Sequence, residues 1–369
     1  MNIAFRTDAS LEIGTGHVMR CLSLADALRA RGARCVFICR PHKGHLLALI
    51  AERGHEAIAL PELTSSPQTS SATAHEHWLG TDGSTDAEDT HRAIAGRSFD
   101  WLVVDHYALA KEWEQAMRPH CKHLLTIDDL ADRQHACDLL LDQNLGRAAS
   151  DYNKLVAAET KMFIGPMYSL LRPEFAEMRP ASLIRRDHIE LKTILITLGG
   201  VDKDNVTGRI LTVMSEFPFP SEVAITVVMG PHAPWLTQVQ AQAARMKIPT
   251  TVLAGVRNMA ELMTVSDLAI GAAGSTSWER CCLGLPTIQM VLADNQIDAA
   301  GALANLGAVE SIQSLAGIAE ELPALLQQLS THQLRVMSQH AATVCDGQGA
   351  VIIAEELVSR INNLEGTNE

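Results

Sequence analysis

The run Trp101-Leu102-Val103-Val104 is apolar at four successive positions, so neither face of the strand it forms can be left to water. Such a strand needs a layer on each side, the condition of a parallel sheet packed between helices. Further short β-rich runs stand at 2–6, 34–39, 56–60, 101–105, 123–127 and 138–142. Helical stretches alternate with them. Over 17–31, Val18, Leu22, Ala25 and Leu28 recur at helical spacing, and Gly32 is placed as the C-terminal stop. This alternation implies βαβ units.

The rhythm restarts with strands expected at 193–198, 223–229, 250–253, 268–271 and 287–291, and several helices over 318–363. A chain of 369 residues exceeds what one core usually serves. The fold class is therefore α/β: two facing Rossmann-like domains, with the active site in the interdomain cleft outside the carboxyl ends of both sheets. The expected bounds are 1–175 for the first domain, 176–192 for a linker and 193–369 for the second. Arg172-Pro173 and Arg179-Pro180 mark the linker region as irregular. Residues 64–90, rich in Ser, Thr, Asp and His without a period, read as a mobile surface loop or a partly helical insertion.

A formal charge of -13 argues against bulk nucleic acid or an anionic membrane as partner. A small anionic substrate remains possible if a local trap, such as a helix N-terminus, receives it. No apolar run approaches the roughly 20 residues of a membrane span, and residues 1–6 do not resemble a signal peptide. The eight cysteines include no CxxC pair, as expected of reduced, packed thiols. The expected location is cytoplasmic.

Four segments have the makings of a site. Gly14-Thr15-Gly16-His17 links the first strand region to the first long helix: glycines for a tight loop, then a histidine where a helix end disfavours the imidazolium. A histidine there serves equally to cap or pack the helix, and GxGxxG is absent because Met19 follows Gly16 by three. From Asp267 a strand leads to Gly274-Ser275-Thr276, whose small residues and hydroxyls suit a diphosphate, with Glu279 one turn on, placed for two ribose hydroxyls. The alternative is a plain N-cap and a solvated glutamate. Asp294-Asn295-Gln296 and Gly199-Gly200-Val201-Asp202 follow strands of the second domain and are individually weak signals, compatible with turns and caps. Asp105-His106-Tyr107 and Asp128-Asp129 end strands of the first domain. Their carboxylates are candidates to orient His17 or bind substrate hydroxyls, and Tyr107 to bond a sugar. No histidine cluster accompanies the aspartates, so neither a metal nor a cofactor is expected.

Arg6-Thr7-Asp8-Ala9-Ser10, Gly14-Thr15-Gly16-His17-Val18-Met19-Arg20, Asp105-His106-Tyr107, Ile127-Asp128-Asp129-Leu130 and Asp142-Gln143-Asn144 together resemble the UDP-2,4-diacetamido-2,4,6-trideoxy-β-L-altropyranose hydrolases of pseudaminic acid biosynthesis. Gly165-Pro166, Leu171-Arg172-Pro173-Glu174-Phe175, Gly199-Gly200-Val201-Asp202, Asn258-Met259-Ala260-Glu261-Leu262 and 274–279 continue the resemblance along nearly the whole chain. That family is similar to the metal-independent GT-B glycosyltransferases, including the one making lipid II. The resemblance implies a hydrolase, in a pathway serving flagellin glycosylation, that releases UDP as water attacks the anomeric carbon with inversion. It implies catalytic roles for His17, Tyr107 and Asn258, with His17 as general base. Gly14, Gly16, Gly199, Gly200, Gly274, Ser275, Thr276, Glu279, Asn295 and Gln296 would bind substrate or UDP. A glycosyltransferase or epimerase on the same fold is the alternative. Apart from the UDP-sugar no partner is expected, and a monomer or weak homodimer is.

Overall fold

The computed structural model describes residues 1–62 and 75–365. The chain divides into two compact units, Met1–Leu170 with Gln348–Glu369, and Leu171–Gly347. The first holds β1 (Asn2–Thr7), β2 (Arg34–Cys39), β3 (Glu56–Ala59), β4 (Phe99–Asp105), β5 (Cys121–Ile127), β6 (Leu139–Asp142) and β7 (Lys161–Ile164). They form one seven-stranded sheet in the order β3-β2-β1-β4-β5-β6-β7, every pairing parallel. Strand order reverses between β1 and β4, the place where open α/β sheets take their ligands. One face of the sheet packs on helix Gly16–Arg29 through Val18, Leu22, Ala25 and Leu28. Trp101 and Val103 lie in that core, while Leu102 and Val104 lie in a second core on the other face, as a strand apolar on both sides requires.

The second unit holds β8 (Thr193–Thr197), β9 (Ala224–Met229), β10 (Thr250–Ala254), β11 (Leu268–Ala272), β12 (Thr287–Met290) and β13 (Val309–Ile312). Their order is β10-β9-β8-β11-β12-β13, again wholly parallel, with the reversal between β8 and β11.

Two expectations need correction. Residues 176–192 are not a linker: Pro173–Arg186 is a helix of the second unit. Pro173 sits in its first turn, where a missing N–H costs nothing. Arg179 donates to the carbonyls of Cys282, Ala342 and Cys345, and Arg186 to those of Met263, Ser266 and Leu283, binding the helix to its unit despite the internal Pro180. The C-terminal helix Gly349–Glu365 belongs to the first unit, not the second. Its Ala350, Ile353, Ala354, Leu357 and Ile361 enter the core beside helix Gly16–Arg29, and Trp101 Nε1 donates to the Leu357 carbonyl at 3.1 Å. A Cβ on Gly349 would stand 2.4 Å from the Ser169 carbonyl oxygen, so the helix needs glycine to start there.

Of residues 64–90, expected as a mobile surface loop or a partly helical insertion, 64–74 lie outside the described residues. The rest bears out the partly helical alternative: Glu76–Leu79 is a 3₁₀ turn and Gly83–Ala93 an α-helix that buries Asp86, Asp89 and Thr90. Its polar composition reflects an internal ion-pair network. Asp86 accepts from Arg6 Nε at 3.0 Å and Nη2 at 2.7 Å, from Arg40 Nη2 at 2.8 Å and from Trp113 Nε1 at 3.1 Å. Burial works against the ionised Asp86, but the arginine charges outweigh it and hold the carboxyl below its ordinary range. Removing Asp86 leaves Arg6 and Arg40 buried with one carboxylate partner each, Asp8 and Asp89. Asp86→Ala should therefore lower unfolding free energy by about 3–5 kcal/mol, read from chemical denaturation; a loss under about 1 kcal/mol contradicts the network's structural role.

Candidate functional site

After β1 the chain makes a self-bonded loop. Ser10 Oγ accepts from the amides of Glu12 and Ile13, Gly14 N donates to the Ser10 carbonyl at 2.9 Å, and Gly14 turns with φ +81°. The loop delivers His17 to the first turn of helix Gly16–Arg29, beside the strand reversal. From β4, across that reversal, comes Asp105, whose Oδ1 lies 2.6 Å from His17 Nδ1. A carboxylate of this kind only accepts, so Nδ1 carries a proton, and in the neutral ring the lone pair is then on Nε2. Asp105 is fully buried, which alone would push its carboxyl up; the Arg20 charge and the hydrogen bonds from Arg20 and His17 outweigh this and hold it well below the usual carboxylate range.

Arg20, one turn along the helix, donates to both Asp105 oxygens, Nε at 2.7 Å and Nη2 at 2.6 Å, and through Nη1 to Asp129 Oδ2 at 2.7 Å. Asp129 Oδ2 also accepts the Tyr107 hydroxyl at 2.7 Å. Tyr107 in turn stands edge-on to His17 with ring centroids 4.6 Å apart. Burial, then the Asp129 charge, push its phenol well above the ordinary value, so it stays neutral. Because its proton is committed to Asp129, Tyr107 offers a substrate lone pairs rather than a donor. Trp78 stacks on Tyr107 at 5.5 Å and lies 6.3 Å from His17, giving this centre an aromatic wall. The neighbouring Asp128 is structural: buried, it binds Arg133, the Ala131 amide and the Tyr152 hydroxyl. Among the described residues no group of three or more His, Cys, Asp or Glu side chains is placed to hold a metal ion.

In the second unit, β11 ends at Ala272 and helix Thr276–Cys282 begins after a turn. Ser275 occupies the N-cap position yet makes no side-chain capping bond, so its hydroxyl is not spent there. Gly274 is open: a Cβ would meet only Gln296 Nε2, at 3.8 Å, which also brings Gln296 to this turn. Gly271 is the opposite case, since a Cβ there would lie 2.4 Å from Arg280 Nη1, threaded under the turn to the Ala272 carbonyl and Thr276 Oγ1. Glu279 is 17% exposed; burial pushes its carboxyl up to about 7, with Arg172 at 3.7 Å drawing it back. Gly199 (φ +90°) and Gly200 form the exposed loop after β8, packed so that a Cβ on Gly230 would stand 2.0 Å from the Gly200 carbonyl oxygen. Asp202 is a cap, accepting from the Val206 and Thr207 amides at 2.8 and 3.0 Å.

Within the first unit, then, His17, Tyr107 and the loop of Gly14 and Gly16 come together; within the second, Gly274, Ser275, Thr276, Glu279 and Gln296 do. Asn295 is exposed in the short 3₁₀ turn Asp294–Gln296. Asn258 is exposed at the start of helix Met259–Val265, where its Nδ2 donates to Glu261 at 2.9 Å. Sequence reasoning did not single out Arg20, Trp78 or Arg172. Only the i+3 spacing of Arg20 from His17, which puts both on one helix face, signals the first of these.

Residues 193–357 match the glycosyltransferase family 28 C-terminal domain. The uncharacterized protein MJ1062 of Methanocaldococcus jannaschii is 28% identical over 306 residues, covering 80% of this chain but only 56% of its own length. The UDP-2,4-diacetamido-2,4,6-trideoxy-beta-L-altropyranose hydrolase of Campylobacter jejuni is 27% identical over 277 residues, 74% of this chain and 86% of the relative. Among solved structures, MurG of Acinetobacter baumannii superimposes with a TM-score of 0.68 at 15% identity, covering 97% of this chain and 99% of that one. The fold is thus the GT-B type, two Rossmann-like parallel-sheet domains. Among the described residues no helix is long and apolar enough to cross a membrane.

The two glycines of the β11 turn make its geometry testable. Gly271→Ala should destabilise by about 1–3 kcal/mol through the clash with Arg280, whereas Gly274→Ala should stay within about 0.5 kcal/mol of wild type. Denaturation curves of both variants check this, and equal losses contradict the described turn.

Proposed function

We propose that this chain hydrolyses a UDP-linked 2,4-diacetamido-2,4,6-trideoxy-L-altrose to UDP and free sugar. The observation that carries the reading is the 2.6 Å contact of His17 Nδ1 with Asp105 beside the strand reversal, supported by the 27% identity to a hydrolase of that substrate. Asp105 fixes the ring and its tautomer, so that Nε2 takes a proton from water. The water oxygen bonds the anomeric carbon from the face opposite the leaving group, the bond to the diphosphate oxygen breaks, and UDP departs with the electron pair. A diphosphate leaving group needs no general acid, so a single base suffices and the sugar inverts.

The second unit's part in this reading is to hold UDP. Gly274, Ser275 and Thr276 offer bare backbone and uncommitted hydroxyl to the diphosphate, and Glu279 accepts from the ribose. Gln296 and Asn295 stand for the donor sugar, as do Gly199 and Gly200 for the approach of a phosphate. Tyr107 and Asn258 are supporting polar residues. Place in pseudaminic acid biosynthesis follows from the substrate. The match of 193–357 to a glycosyltransferase domain favours a second reading, in which the same base deprotonates a hydroxyl acceptor instead of water.

UDP release from this UDP-sugar without any acceptor tests the choice. Steady release is expected, with His17→Asn lowering kcat by about 10²–10⁴ while UDP affinity changes little. Release only on adding a sugar or lipid acceptor establishes the transferase, formation of a C2 epimer of the intact UDP-sugar establishes an epimerase, and near-normal turnover of His17→Asn removes His17 as base.

A further inference from the structure

Arg20 joins the two carboxylates that stand beside His17. It spans three of the four carboxylate oxygens of Asp105 and Asp129 at 2.6–2.7 Å, with its own side chain 10% exposed. Its Nη2 also lies 3.3 Å from His17 Nδ1. Since Nδ1 bears a proton, that approach is a contact between two donors, not a bond.

The charges around His17 sort simply. On its own helix stand Arg20 and Cys21, the thiol held neutral by burial and by Asp105. The chain after β4 contributes Asp105, His106 and Tyr107. Burial pushes His106 down, and its Nε2 turns to Asp8 at 3.4 Å; Tyr107 is neutral as described above. From beyond β5 comes Asp129, and from the 75–80 segment His75, pushed down by burial. The charges of the bonded cluster at His17 are therefore the Asp105 and Asp129 carboxylates and the Arg20 guanidinium; Arg133, paired with Asp128 and Asp132, stands farther out, 5.9 Å over the Tyr107 ring, and the Asp8–Arg6 pair lies behind His106. The carboxylates favour the imidazolium. A guanidinium shared between them opposes it, directly and by neutralising its partners.

We propose that Arg20 is a positioning residue that locks the His17 ring through Asp105 and, by its charge, keeps Nε2 free to accept a proton. The inference rests on reading His17 as the base, but its test does not require turnover. The pH titration of the His17 imidazole, followed by NMR in wild type, Arg20→Gln and Arg20→Lys, reads the charge balance directly. In Arg20→Gln the midpoint moves up from that of the wild type, because two carboxylates without their guanidinium now favour the imidazolium. In Arg20→Lys, which keeps the charge, it moves by less than half of that. The acid limb of kcat/KM for UDP release follows the same order. An unmoved midpoint in folded Arg20→Gln overturns the proposal, as does an equal shift in Arg20→Lys, the mark of a merely steric role. If Arg20→Gln does not fold, Asp129→Asn decides: freeing Arg20 from one carboxylate lowers the midpoint, and no change overturns the proposal. Absence of UDP release by the wild type refutes the hydrolase reading, while the titration still decides the role of Arg20.

Discussion

Asp105 carries a full negative charge at a place with no water to solvate it, and most of the first unit's candidate centre follows from how that charge is met. An unpaired buried carboxylate costs several kcal/mol, so the chain supplies two donors, His17 Nδ1 and the Arg20 guanidinium, both from the helix that follows β1. Meeting the charge fixes the imidazole in one orientation and one tautomer. The same guanidinium then reaches Asp129, which takes the Tyr107 hydroxyl, and Tyr107 packs against His17. The ring of contacts closes on itself, so no member can rotate without leaving another charge or donor unpaired.

The second unit meets its chemistry differently. Its turn after β11 leaves the Ser275 hydroxyl without a cap bond and open space beside the Cα of Gly274. Glu279 is pushed up to about 7 by burial, a state that favours a hydrogen-bonding partner over bare ionisation. The first unit therefore carries a closely interlocked polar centre and the second a more open turn.

Much of this was legible in the residues. Doubly buried strands such as β4 read as apolar runs, and the helix at His17 announced itself by Val18, Leu22, Ala25 and Leu28. The edge strands β7 (Lys161–Ile164) and β13 (Val309–Ile312) escaped because edge strands are short and Lys161 and Glu310 interrupt their apolar character. The last helix reads as amphipathic, but amphipathicity does not say which unit its apolar face will cover. Proline pairs at 172–173 and 179–180 suggested a linker where one proline merely opens a helix and the other is tolerated within it. That the segment ending at Thr90 buries its aspartates was not legible, because composition cannot separate a charge facing water from one facing Arg6 and Arg40.

The central claim is that His17 directs water at the anomeric carbon rather than at phosphorus. Hydrolysis in H₂¹⁸O followed by mass spectrometry of both products tests it at the level of the bond that breaks. The account predicts one labelled oxygen in the released sugar and unlabelled UDP; label in the UDP phosphate would contradict it.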